Sequence, residues 1–135
     1  MSGRKFFDPR HQKRVELLQQ LFARSFNALI VSTDKRLLNQ NVDPLVLQIL
    51  ERAPEIDEQI KAVAPERAIA DMNQVDLAVL RLICFEALEK DTPVKVLINE
   101  GIELAKEFGT EASPKFVNGV LGKILLPEQK VAHEQ

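Results

Sequence analysis

Apolar residues recur at spacings of three and four in several separate stretches of this chain, and each stretch is bounded by turn-forming residues. Val15, Leu18, Phe22 and Phe26 make one such stripe, which predicts a helix from about Pro9 to Phe26. Residues 27–42 then read as a helix end and a connection. Residues 44–52 read as a short apolar helix. A weaker helix is expected over 55–63, with Ile56, Ile60 and Val63 on one face. The run VDLAVLRLICFEAL within 73–90 is apolar nearly all round. It is too long for an ordinary strand and poor in β-branched residues, so it predicts a central helix packed on several sides. Two more helices follow. One spans 93–108, with Val94, Ile98, Gly101, Ala105 and Phe108 along a seam, and the other spans 114–126, with Val117, Val120, Leu121 and Ile124. Gly119 and Gly122 are placed to let a neighbouring helix come close.

Proline and its neighbours support these boundaries. Asp8-Pro9, Asp43-Pro44, Thr92-Pro93 and Ser113-Pro114 each set a capping residue before a proline. A capping oxygen accepts from the free N–H groups of a helix start, and proline there has no N–H to leave unpaired. Pro54 and Pro65 are expected to bound the short helix between them, Pro127 to follow the last helix, and Gly109 to close its helix in the left-handed conformation. The fold class is therefore all-α. The expected division is an N-terminal helical subdomain (1–66), a C-terminal helical subdomain (67–127) and a polar, frayed tail (128–135).

Composition adds constraints. The 135 residues can bury a core without disulfides or metals. Eighteen basic against 20 acidic side chains give a net charge of −2, which excludes a strongly basic domain that coats nucleic acid. The charge is uneven. Residues 1–24 carry Arg4, Lys5, Arg10, Lys13, Arg14 and Arg24 against Asp8 and Glu16, and the rest of the chain is acidic. The single cysteine, Cys84, excludes an internal disulfide and suits a reducing compartment. No apolar run reaches the ~18–20 residues that span a bilayer. Met1 to Arg14 lacks the apolar core of a secretory signal. The expected location is the cytoplasm, with no membrane partner.

Catalytic chemistry finds no footing. Cys84 lies within the apolar helix and reads as a core residue. His11 and His133 lie far apart without metal-ligand spacing. Ser25, Ser32 and Ser113 lack a nucleophile motif, and there is no glycine-rich phosphate loop. Glu100, Glu103 and Glu107 read as a solvated helix face. No enzyme activity, cofactor or metal is expected. The basic first helix is more informative, because Arg10, Lys13 and Arg14 lie within about one turn. Cations near a helix N-terminus oppose its dipole. Phosphate binding is one use for them, and a solvated polar face is the other.

Three colinear segments, VDLAVLRLICFEAL (75–88), INEGIELAKEFG (98–109) and KFVNGVLGKI (115–124), resemble the NusB family of transcription antitermination factors. RVELLQQLF (14–22) aligns more weakly with the family's first helix, and residues 27–66 carry little likeness. The resemblance implies a NusB-like helical bundle of two small subdomains. It also implies binding of boxA-like single-stranded RNA together with the ribosomal protein NusE, and through that complex an indirect action on the RNA polymerase elongation complex. A related domain precedes some rRNA cytosine methyltransferases, but this sequence contains no methyltransferase segment.

Carried over by position, Arg10 and Arg14, with Lys13 beside them, and Lys115 and Phe116 at the start of the last helix match family residues that meet RNA. Phe22 stands where the family often has Tyr, as a stacking face or as core. Phe116 leaves the same two readings open. Glu86 matches a position near the NusE contact, or is a plain surface carboxylate. Arg81, Asn99 and Asn118 read as polar ties between helices. His11 and Gln12 interrupt the basic run, Ala112 stands where an acid is frequent, and Gly122 and Gly101 replace a frequent Asp and Ala. The thinner basic helix motivates the alternative function: a protein-interaction module, monomeric or homodimeric, that binds a ribosomal protein without RNA specificity.

Overall fold

The computed structural model describes residues 8–30 and 42–127, with side chains only to residue 24 in the first stretch. Five α-helices occupy these residues: α1 (Pro9–Ile30), α2 (Pro44–Val63), α3 (Gln74–Glu89), α4 (Val94–Phe108) and α5 (Ser113–Leu125). A 3-10 turn at Ile69–Asp71 lies in the link between α2 and α3, where the two halves of the sequence were expected to divide. No strand occurs among the described residues, in accord with the all-α expectation. The expected polar tail (128–135), most of the expected connection (31–41), and Arg4 and Lys5 lie outside the described residues.

Helix α3 is the axis of the bundle and touches each of the other four helices. Its residues from Asp76 to Phe85 are all buried except Arg81, as a helix that is apolar on every side requires. Leu18 of α1, Ile49 and Ile56 of α2, Leu97 and Leu104 of α4, and Val117 and Leu121 of α5 close around it in one core. Each such aliphatic side chain contributes roughly 1.5–3 kcal/mol when fully buried. Cys84 belongs to this core, and burial pushes its thiol up to about 12, so it stays an unreactive thiol.

Two boundaries differ from the sequence reading. Helix α1 runs to Ile30 rather than ending at Phe26. Residues 44–63 form one helix, with Pro54 inside it rather than bounding a second one. The reason is visible in the buried positions. Val46, Ile49, Ala53, Ile56 and Ile60 continue one stripe at spacings of three and four across the proline. An interior proline costs about 3 kcal/mol through its lost hydrogen bond and ring clash. Pro54 sits on the exposed side of α2, and the continuous stripe offsets that cost.

The caps also divide. Asp8 accepts from the Arg10 N–H at 3.0 Å, and Asp43 accepts from the Leu45 N–H at 2.9 Å, as expected. Asn73 caps α3 by accepting from Val75 and Asp76, with no proline to announce it. Thr92 is not a cap. Its hydroxyl donates to Glu86 at 2.7 Å, and Pro93 holds the cap position without a side-chain bond. Ser113 lies one residue inside α5, wholly buried, and its Oγ accepts from the Thr110 N–H at 2.9 Å.

Close packing falls on other glycines than expected. A Cβ on Gly119 or Gly122 would meet nothing within 4 Å. A Cβ on Gly101 would stand 2.6 Å from Leu121 Cδ1, so this glycine is where α4 and α5 meet closely. Gly109 has extended rather than left-handed backbone (φ −98°, ψ −160°). Its missing side chain makes room for Ser113, whose Oγ would lie 2.4 Å from a Cβ there. Arg81 is the inter-helix tie it was read as, donating to both oxygens of Asp57 at 3.0 and 2.7 Å. Asn99 and Asn118 are exposed instead.

Candidate nucleic-acid interface

The dipeptide Asp8-Pro9 starts α1 so that its first turn, with Arg10, Lys13 and Arg14, faces the end of α3 and the link to α4. A groove of about 680 Å³ lies there. Leu17, Leu82 and Phe85 are among its apolar lining, Arg10, Lys13 and Lys90 bring cations to it, and Glu86 and Glu100 bring carboxylates. Arg10 is exposed and makes no ion pair among the described residues. Lys13 is exposed as well but paired to Asp43, the cap of α2, and each charge stabilises the other's ionised form.

Arg14 departs from the expectation of an RNA-facing cation. Its side chain is 9% exposed and points inward. Its Nε donates to Glu86 Oε1 at 2.9 Å and its Nη2 to Glu86 Oε2 at 2.7 Å, while Nη1 lies 3.3 Å from Glu100 Oε1. The cause is its helical position. Arg14 directly precedes Val15 on the stripe that Leu17, Leu18 and Leu21 bury. Glu86 is likewise not a freely offered carboxylate, since Arg14 and Thr92 satisfy it and it is 12% exposed. Burial pushes its carboxyl up, but the hydrogen bonds from Arg14 and Thr92 outweigh that and hold it below the usual carboxylate range. The fork of a guanidinium on a carboxylate is the geometry that makes such a pair strong.

Glu100 is not on a solvated face either. It accepts from His11 Nδ1 at 2.8 Å, and Glu107, two turns on, lies 3.4 Å from His11 Nε2. The hydrogen bond to Glu100 is the main cause that raises the His11 pKa above 6.5, against the effect of burial.

Phe22 lies at the edge of the α1 stripe, 39% exposed, which favours an open ring face over a core role. Lys115 and Phe116 lie in a second groove of about 450 Å³ between the end of α2 and α5. It shares no lining residue with the first groove, which holds Arg10 and Lys13. Phe116 is half-buried, with the Arg67 guanidinium 4.3 Å from its ring centroid. Such a contact is a cation–π stack. Lys123 lines the same groove, its Nζ 3.5 Å from the Val63 carbonyl.

Sequence reasoning missed His11, Glu100, Thr92, Arg67 and Lys123. The seven-residue spacing of Glu100 and Glu107 puts both on one face of a helix, but nothing in that spacing says that α1 stands opposite. Among the described residues, no group of three His, Cys, Asp or Glu side chains is placed to hold a metal ion, and no helix is long and apolar enough to cross a membrane.

A model of the NusB family matches residues 10–126. The transcription antitermination protein NusB of Roseiflexus castenholzii is 45% identical over 84 residues, which are 60% of this chain and 59% of that protein. The chain is 49% identical to the same-named protein of Anaeromyxobacter dehalogenans over 80 residues, which cover 56% of that relative. In both pairings the chain thus covers less than two thirds of the relative's length. The Chloroflexus aggregans protein of that name is 37% identical over 129 residues, 86% of each chain. A solved structure of T. maritima NusB superposes with a TM-score of 0.70 at 32% identity, covering 94% of this chain and 99% of that one.

Proposed function

Because this chain belongs to the NusB family, we propose that it is a cytoplasmic, non-catalytic transcription antitermination factor that binds boxA-like single-stranded RNA together with NusE. Through that complex it acts indirectly on the RNA polymerase elongation complex. The observation that carries the reading is the exposed basic first turn of α1, where Arg10 is unpaired among the described residues at the mouth of the larger groove. Cations held there displace condensed counterions when a phosphate chain docks.

Arg10 and Lys13 are the direct phosphate contacts in this reading, and Arg14 positions the turn through Glu86. Lys115 and Phe116, backed by Arg67, form a second contact further along the RNA, with Phe116 offering a base-stacking face. Phe22 offers another. Glu86 meets NusE only by sharing its carboxylate between Arg14 and a cation of that partner. The acidic balance beyond residue 24 suits a basic ribosomal protein.

The test is a double substitution, Arg10→Ala with Lys13→Ala. The slope of log affinity against log salt should flatten by about one per lost phosphate contact. An unchanged slope, with NusE still bound, would leave the alternative: a protein-interaction module that binds a ribosomal protein without RNA specificity.

A further inference from the structure

We propose that His11 is a proton-operated clasp that fastens the first turn of α1 to the outer face of α4. The two ring nitrogens of His11 face two different carboxylates. Nδ1 lies 2.8 Å from Glu100 Oε1 and Nε2 lies 3.4 Å from Glu107 Oε1. A neutral imidazole has one N–H and one lone pair. Whichever tautomer forms, its lone pair then points at a carboxylate oxygen. Only the imidazolium donates to Glu100 while presenting an N–H and a positive charge to Glu107, so the arrangement is complete in the protonated form alone.

The charges around the ring agree. From α4 it meets Glu100 and Glu107, and from α3 Glu86 stands behind Arg14. From α1 itself, Arg14 is the one cation that shares Glu100, since Lys13 is turned to Asp43 at the head of α2. Further along α4, Glu103 pairs with Lys106. Glu86 is already balanced by Arg14 and by Lys90 nearby, so the negative charge that a proton on His11 reduces is that of Glu100 and Glu107, the two carboxylates at the ring itself. The positive end of the α1 dipole opposes that proton, and the two direct carboxylate contacts outweigh it.

A raised folded-state value has a definite sign. The clasp contributes its full stability below the unfolded value of 6.5 and loses it as pH rises through the folded value. Each unit of separation multiplies the folding equilibrium about tenfold. The turn affected is the one that carries Arg10 and Lys13, so its anchoring weakens as pH rises through the raised value. The inference holds whether or not RNA binds there.

Proton NMR titration of the full chain tests it. The chain has two histidines, and the His11 signal is identified by its loss in His11→Gln. We expect that signal to titrate above 6.5 and to move down in Glu107→Gln. In parallel, urea unfolding at pH 6 and pH 8.5 should show a larger fall in the folding constant for the native chain than for His11→Gln. His133 and the terminal amine are common to both proteins and cancel in the comparison. A His11 signal titrating at or below 6.5, or the same pH dependence in both proteins, would overturn the clasp.

Discussion

The guanidinium of Arg14 lies 2.7 and 2.9 Å from the two oxygens of Glu86, and that geometry changes what the first helix offers to a nucleic acid. Removing one member of a mostly buried pair leaves the other desolvated and unpaired. Arg14→Ala and Glu86→Ala should each lower unfolding stability by about 3 kcal/mol, and the double variant should lose less than the sum. Equilibrium urea unfolding of the three variants checks this. The same pair has a pH signature. Glu86 is held below the usual carboxylate range, so its contribution is present above the unfolded value of 4.5 and is lost as pH falls through the folded value. Acid titration of the urea midpoint should therefore be steeper in the native chain than in Glu86→Gln. At this scale the sequence was half legible. The cluster Arg10, Lys13 and Arg14 stands out by spacing. Which of the three turns inward depends on where the apolar stripe sits relative to α3, a tertiary fact that three-residue spacing does not contain.

Among the elements, helix periodicity survives local contradiction. The buried stripe of α2 from Val46 to Ile60 passes straight through Pro54. Pro54→Ala should restore one backbone hydrogen bond and remove the ring clash, raising stability by about 2 kcal/mol after the proline's stiffening of the unfolded chain is allowed for. Circular dichroism through a thermal melt would show it. Gly109 makes the opposite point. Any Cβ there would press on Ser113 and on the Ala105 carbonyl, 2.8 Å away. Gly109→Ala should destabilise by about 1–3 kcal/mol, and Gly119→Ala, with open space around it, should not. Thermal denaturation of the two variants side by side separates them. The helices themselves were readable because each carries its own apolar face and a capping or breaking residue. The close approaches were not. Four glycines in the last two helices and their link look alike in sequence, and only the facing side chains decide which of them is crowded.

For the whole molecule, the axis role of α3 follows from its all-round apolarity, and α1, α2, α4 and α5 bury their stripes against it. The candidate site was less legible. It divides between two grooves, one at the start of α1 and one beside α5, with no lining residue in common. Arg67, which stacks on Phe116, comes from the link after α2, where no periodic pattern exists to place it. The same division carries a prediction. Lys115 is exposed, so Lys115→Ala should weaken RNA binding without lowering the unfolding stability, as measured by affinity and by urea unfolding on the same protein.

The proposed function has this chain bind boxA-like RNA through its basic first turn together with NusE. Fluorescence anisotropy of labelled boxA-like RNA and of a scrambled RNA, with and without purified NusE and at two salt concentrations, tests it most directly. Tighter binding to the boxA-like RNA is expected, strengthened by NusE and weakened by salt. Equal or absent binding to both RNAs, alongside a stable complex with NusE, would contradict it.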